Sequence, residues 1–341
     1  MRPKSLRVLI PLISILSTLA VSTLIIFMAG RDPLMIFEKM FQATLGSSYG
    51  SGQVVFRVTT LVFTGLAVAL PFQMRLLNIG AEGQLLVGAF ASAMTGAMLP
   101  ASLPAVAAIS LCTLSAMAAG ACWALLAGVL KVRFGVNEVI ATIMLNFIAQ
   151  GLTGYLLTYH FVIPSTIHTA PITPAAAIPS FGAVTGWLAN SPANLSTFLA
   201  IGLALLFQII LFQSRFGYEM RAAGLQPEAA RYGGINSGMH TLAAMGIGGA
   251  AAGLGAANIV LGYRHYFEAG MTGGIGFTAI AVSLLAGAHP LWIFLSALFF
   301  GFLEYGGLTV NALIPKDIFM VIEAITILLV IAFTALGKRF L

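Results

Sequence analysis

The sequence predicts an all-α fold, a polytopic transmembrane helical bundle, and three observations carry that prediction. Only 8% of the 341 residues are charged and 59% are hydrophobic, whereas soluble chains carry about a quarter charged residues. Mean hydropathy is +1.00. Uncharged runs cover 23 residues (Val8–Gly30), 48 (Gly83–Leu130) and 21 (Val139–Tyr159), and roughly 20 apolar residues cross a bilayer as a helix.

Reading from charge to charge gives about ten membrane segments: 8–30, 58–77, 83–99, 104–130, 138–160, 197–213, 238–262, 271–288, 291–310 and 318–337. The first follows a basic stretch, Met1–Arg7, and is longer than the ~7–15-residue apolar region of a cleaved signal peptide, so it reads as a retained helix. Pro100 and Pro104 in "LPASLP" make a tight turn between the third and fourth. The eighth opens with four glycines in the seven residues "GMTGGIG". It reads as short, broken or re-entrant, which is tolerated where protein or a cavity covers the backbone.

Orientation follows from the excess of cations on the cytoplasmic side. With both termini cytoplasmic, eleven cations fall inside (Arg2, Lys4, Arg7, Arg75, Lys131, Arg133, Arg215, Arg221, Arg231, Lys338, Arg339). Five fall outside (Arg31, Lys39, Arg57, Arg264, Lys316). Residues 1–341 then form one transmembrane domain with extracytoplasmic loops at 31–57 and 161–196 and a cytoplasmic loop at 214–237. The 161–196 loop lacks Asp, Glu, Lys and Arg and holds five prolines, so it reads as a cover or an external contact. In 31–57, Met35, Ile36, Met40 and Phe41 have near-helical spacing, which predicts a short interfacial helix. A Gly/Ser turn follows it.

Several chemistries are excluded. The 16 Lys and Arg form no stripe or arm, which argues against nucleic acid as a partner despite a net charge of +6. Cys112 and Cys122 lack metal or CxxC spacing and read as small packing residues. There is no GxxxxGK[ST] loop, no GxSxG and no HExxH, and the five histidines are dispersed. An enzyme reading is therefore disfavoured, and no metal or cofactor of the chain's own is expected.

Polar residues inside a bilayer need a reason. Glu138 follows Lys131 and Arg133 and belongs at an interface. Glu304 and Glu323 lie within spans nine and ten without a basic partner in their own span; they either pair with a polar group or line a watery passage. Asn78, Gly80, Glu82, Gly83 and Gln84 crowd a span entrance in "RLLNIGAEGQLLVGA". That reads either as a polar turn or as a helix break beside a pathway. Span seven carries Gly249 and Gly253 as a GxxxG pair, suited to close helix packing or to an interface between subunits. Within 214–237, Pro227 suits a first helical turn, Glu228 its positive end, and Ala229-Ala230 its body. Gly233-Gly234 would end it. Such a surface helix is fit to dock into another protein.

These residues also carry a resemblance. "NIGAEGQ" (78–84), "NEVIATIMLNFIA" (137–149), "GLQPEAARYGGI" (224–235) and "GGIGFTAIAVSLLAGAHP" (273–290) resemble the membrane permease subunits of ATP-binding-cassette importers. The branch resembled handles branched-chain amino acids, simple sugars and nucleosides. The likeness runs over about residues 55–337 and is strongest to the larger, nucleoside-type permeases. It implies import of a small polar solute, a nucleoside or alternatively a simple sugar, by alternating access across the cytoplasmic (inner) membrane. It also implies a separate ATPase subunit that binds ATP and Mg, a second permease as heterodimer partner, and an extracytoplasmic solute-binding protein. Gly224, Pro227, Ala229, Ala230 and Gly234 match the family's coupling helix, with Glu228 and Arg231 beside them, and Gln226 stands where the family commonly has Asn. Pathway candidates are Asn78, Glu82, Gln84 and Asn146, with Glu304 and Asn311 behind them. Two rival readings are a proton-coupled secondary transporter using Glu304 or Glu323 and a channel gated by the glycine-rich eighth segment.

Overall fold

A computed structural model describes residues 4–339, with side chains from Leu12 to Phe333 except those of residues 316 and 317, and that of Leu336. Fourteen α-helices and no strand form among these residues. They are α1 (Lys4–Met28), α2 (Pro33–Leu45), α3 (Ser48–Phe72), α4 (Ala81–Met98), α5 (Ala105–Phe134), α6 (Glu138–Leu156), α7 (Phe181–Thr185), α8 (Ser196–Gln213), α9 (Arg215–Leu225), α10 (Pro227–Tyr232), α11 (Ser237–Leu254), α12 (Ile275–Leu285), α13 (Trp292–Thr309) and α14 (Lys316–Arg339). Of the cations counted toward orientation, Arg2 lies outside the described residues, as do the side chains of Lys4, Arg7, Lys316, Lys338 and Arg339.

Each predicted segment contains a helix, but lengths differ. Among the described residues, six helices are long and apolar enough to cross a membrane: α3, α5, α6, α8, α11 and α13, where α6 and α11 continue as π-helical turns to Phe161 and Arg264. A seventh span results if α1 and α2, bent by 116° at residues 29–32, count together. The second segment starts at Ser48 rather than 58, because Arg57 pairs within the bundle instead of marking its edge. Ser47 caps α3 by accepting from the Gly50 N–H. The eighth segment is a helix of 11 residues, as its glycines foretold.

Between helices in a bilayer there is no hydrophobic drive to associate, so small residues and close contact hold the bundle. At its centre, α3 is buried without interruption from Thr59 to Pro71. Beside α3 runs α11, with α4 and α5 packed to one side and α12 and α13 to the other, while α1, α6 and α14 lie outermost. The GxxxG pair serves this packing within one chain. A Cβ on Gly253 would strike the Ala116 carbonyl of α5, and one on Gly249 would strike that of Gly120. The segment 31–57 holds the expected helix, α2; Ile36 and Met40 are buried, Phe41 is exposed, and Met40 packs on Gly306 of α13.

The ends of α8 separate two faces. On one, residues 161–195 form a fastened cover rather than a slack loop: Thr173 N–H donates to the Gly96 carbonyl at 2.9 Å, and Ile178 N–H to that of Leu261 at 2.8 Å. Beneath it, the buried Asn258 of the π turn donates to the Phe56 carbonyl and to Thr60, and accepts from Asn194 and Ser196. On the other face lies the 214–236 connection, which holds α10 as expected and also α9, a second helix that the sequence reading did not name.

Candidate functional site

The site begins where α3 breaks. Pro71 lies in its last turn, and Arg75 adopts a left-handed φ of 58° that turns the chain back. The returning strand of backbone is tied to α3 by Asn78, whose amide donates to the Ala67 carbonyl at 3.1 Å. Asn78 also pairs reciprocally with Gln84 (3.0 and 2.9 Å) and accepts from the Gly80 N–H. Asn146 of α6 closes the other side: it accepts from the Gly83 N–H at 2.9 Å and donates to the Ile79 carbonyl at 2.9 Å. Thus the chain doubles back against the last turns of α3 before α4 begins. Asn78, Gln84 and Asn146 are buried, and their amides hold backbone groups that the break would otherwise orphan.

Glu82 adds the charge. It sits in the first turn of α4, and its carboxylate reaches the start of α12. One oxygen accepts from Thr272 Oγ1 at 2.6 Å and from the Gly274 N–H at 3.1 Å; the other accepts from the Gly276 N–H at 2.7 Å. One anion therefore serves the positive ends of two helices that abut. Only glycine fits at 276, because a Cβ there would collide with the Glu82 backbone. Four pathway candidates, Asn78, Glu82, Gln84 and Asn146, are in this way brought into one cluster.

The other two lie elsewhere. Glu304 of α13 forms an ion pair with Arg57 of α3 (Nε to Oε1 3.4 Å), and the guanidinium also donates to Gln53 and lies 4.9 Å over the Tyr305 ring. Asn311 is exposed past the end of α13. Glu323 accepts from Thr278 Oγ1 of α12 at 3.0 Å. Glu138 pairs with Lys131 at 2.7 Å.

The 214–236 connection is a built structure. Ser214 caps α9. Glu219 binds Arg215 at 2.7 Å and lies 3.1 Å from His240 Nε2 of α11, while the His240 ring stacks on Phe216. The Arg215 hydrogen bond, with His240 adding to it, holds the Glu219 carboxyl below its ordinary range. Gly224 presses on the α3–α4 break: a Cβ there would lie 2.5 Å from the Gln73 carbonyl oxygen and from Met74 Cα. Next comes α10 with Pro227 at its first position, Glu228 in its first turn, Arg231 in its last and Gly233 as its cap, followed by Gly234 at φ +81°. Ala230 alone of α10 is buried; Pro227, Glu228, Ala229 and Arg231 are exposed, as are Leu225 and, at 95%, Tyr232.

Gln73, Thr272 and Asn258 escaped the sequence reading and Arg57 entered it only as an outside cation, since each gains its meaning from a residue far along the chain. Only Arg57 gave a local signal, as a cation inside an otherwise apolar run. Among the described residues no group of three His, Cys, Asp or Glu could hold a metal ion.

Comparison with known proteins identifies the family. The family model described as the branched-chain amino acid transport system / permease component matches residues 51–331. The chain is 33% identical over 329 residues to the guanosine ABC transporter permease protein NupP of Bacillus subtilis, covering 95% of this chain and 93% of that one. It is 34% identical over 331 residues to a glucose ABC transporter permease of Haloferax volcanii (94% and 86% covered). With the nucleoside ABC transporter permease protein NupB of Lactococcus lactis it shares 31% over 342 residues (98% and 93%). The same two bacteria each have a second permease similar to this chain over a shorter stretch, NupQ over 272 residues and NupC over 248. This multi-pass chain of the cytoplasmic membrane belongs to the branched-chain amino acid transport permease family, as a transport subunit of the ATP-binding-cassette class and not an enzyme.

Proposed function

We propose that the chain is the larger permease of an importer that moves a small polar solute inward by alternating access, with a nucleoside as the preferred class. The observation that carries the coupling half of this reading is α10. It buries Ala230 only and offers Pro227, Glu228, Ala229, Arg231 and Tyr232 to the surroundings, while α9 behind it is anchored at Glu219 and Gly224. An exposed aromatic beside an arginine on a rigid mount is the type of anchor that interfaces use. The partner is a separate ATPase subunit, which binds ATP and Mg. That assignment places the 214–237 loop and both termini in the cytoplasm and the 31–57 and 161–196 loops outside, where a solute-binding protein delivers its load. A second permease completes the pathway.

The cluster at Asn78, Glu82, Gln84 and Asn146 borders that pathway at the broken helices. The preference for a nucleoside rests on two relatives named for guanosine and nucleoside transport. A sugar is the second reading, favoured by the glucose permease of Haloferax volcanii. The test is uptake by proteoliposomes holding the two permeases, the ATPase and the binding protein, with guanosine and glucose offered in parallel. Guanosine uptake that requires ATP supports the proposal. Uptake without ATP or without the ATPase subunit overturns the importer reading, and glucose uptake alone overturns the nucleoside assignment.

A further inference from the structure

The helix α12 is held at both ends by residues that belong to the two regions described above. At its start stands the Glu82 carboxylate with its three donors. At its finish, Gln73 Nε2 donates to the Ala288 carbonyl at 2.7 Å. Gln73 is also the residue whose backbone carbonyl meets Gly224 of α9. A second link runs beside it: His289 stacks on Phe212 of α8 (ring centroids 5.1 Å apart), and the Arg221 guanidinium of α9 lies 5.1 Å over the same Phe212 ring. Both links lead from the 214–236 connection to the same end of α12.

The backbone around α12 suits a rigid piece between two hinges. Gly270, Gly273 and Gly274 precede it with positive φ, and Gly287 follows it with φ +61°. Eleven residues make a rod of about 16 Å, close to half of a ~30 Å hydrocarbon core. Such a rod reaches from the 214–236 face to the level of the Glu82 cluster and no farther. Hinge conformations of this kind absorb large dihedral changes while the element between them stays intact.

We propose that α12 is the lever through which movement of the docking loop reaches the helix break, with Gln73 and Arg221 as positioning residues at its driven end and Glu82 as the latch at the other. This rests on reading α9–α10 as the docking site for the ATPase. Pushing α9 shifts Gln73 and the Arg221–Phe212–His289 stack, α12 tilts between its glycine hinges, and Glu82 releases the Thr272, Gly274 and Gly276 donors. Glu323, which accepts from Thr278 one turn into α12, is the remaining carboxylate that α12 carries along. The coupling is a difference in contacts between two positions of one element, as energetic linkage between distant sites requires.

The experiment measures solute transported per ATP hydrolysed in proteoliposomes of the complete complex. Glu82→Gln keeps the shape but removes the charge from three hydrogen bonds, and the ratio is expected to fall roughly tenfold or more. Thr272→Val removes one of the donors and is expected to lower it less, in the same direction. Arg221→Leu is expected to lower it severalfold. Combined with Glu82→Gln it should give a loss smaller than the product of the two, because both act on one rod. A wild-type ratio in Glu82→Gln overturns the proposal, and so does a proportional fall of hydrolysis and transport that leaves the ratio unchanged. If Glu82→Gln fails to assemble, a wild-type ratio in Thr272→Val overturns it instead. Loss of the docking reading itself would show differently, as an ATPase that stays bound to a Tyr232→Ala permease.

Discussion

Gly224 rests on Met74 so closely that a single methyl would lie 2.5 Å from the Met74 Cα. One residue belongs to the connection after α8 and the other to the break after α3. Their contact seats α9 on the core. In helix propensity alone, Gly224→Ala should gain about 1 kcal/mol. Overpacking against backbone costs about 1–3 kcal/mol, and here it should win. Thermal unfolding in detergent is expected to show a lower midpoint for Gly224→Ala. The control Gly202→Ala in α8, where nothing lies within 4 Å, should raise the midpoint. Equal shifts in both variants would mean that α9 is not seated where we describe it.

Asn146 supports α4 from a neighbouring helix. Asn146→Ala leaves the Gly83 N–H and the Ile79 carbonyl without their partners, at about 1–3 kcal/mol for each buried group. Asn137→Ala, which removes the cap of α6, should cost about 1 kcal/mol. Denaturation midpoints of the two variants decide the order; a smaller effect for Asn146→Ala would contradict the role assigned to its amide.

Part of this was legible in the sequence. The start of α10 at Pro227 and its stop at Gly233 were readable because capping chemistry is local. The shortness of α12 followed from its glycines, and the crowd of Asn, Glu and Gln at 78–84 did mark a break. What escaped was non-local. The donors of Glu82 lie 190 and more residues away. Arg57 was taken as an edge because its partner Glu304 sits on another helix. The α9 helix was missed because "RFGYEMRAAGL" is short and breaks its apolar face (Phe216, Met220, Ala223) with charges and two glycines, and its order comes from the core, Gly224 and His240 contacts. The GxxxG pair announced close packing but not its partner, which proved to be α5 of the same chain.

The Arg57–Glu304 pair separates two mechanisms. As an ion pair set among Gln53 and Tyr305, Glu304 holds α13 against α3. Glu304→Gln is expected to keep ATP-driven uptake within about threefold of wild type, since a part-exposed pair is worth about 1 kcal/mol or less. Abolished uptake, with protein level unchanged, would favour a proton-coupled carrier.

Acidification should loosen the α9 mount. The folded Glu219 carboxyl is held below its ordinary value, chiefly by the Arg215 hydrogen bond. Its contribution is therefore complete above the unfolded value of about 4.3 and is lost as pH falls through the lower folded value. Protection of the α9 amides from hydrogen exchange, taken relative to each amide's intrinsic rate at that pH, should thus fall below about pH 4 in wild type. In Glu219→Gln the protection should be already lowered and flat across that range. A wild-type profile in the variant would remove Glu219 from the mount.

The central claim is that α10 faces the cytoplasm and is covered by an ATPase. Cys122 is exposed and Cys112 buried, so Tyr232→Cys in a Cys122→Ser background gives a single accessible thiol. Labelling that thiol with a membrane-impermeant maleimide is the most direct test. The account predicts no labelling in intact cells, rapid labelling of inside-out vesicles holding the permease alone, and protection once the ATPase subunit is bound. Labelling from outside the cell, or labelling undiminished in the assembled complex, would contradict it.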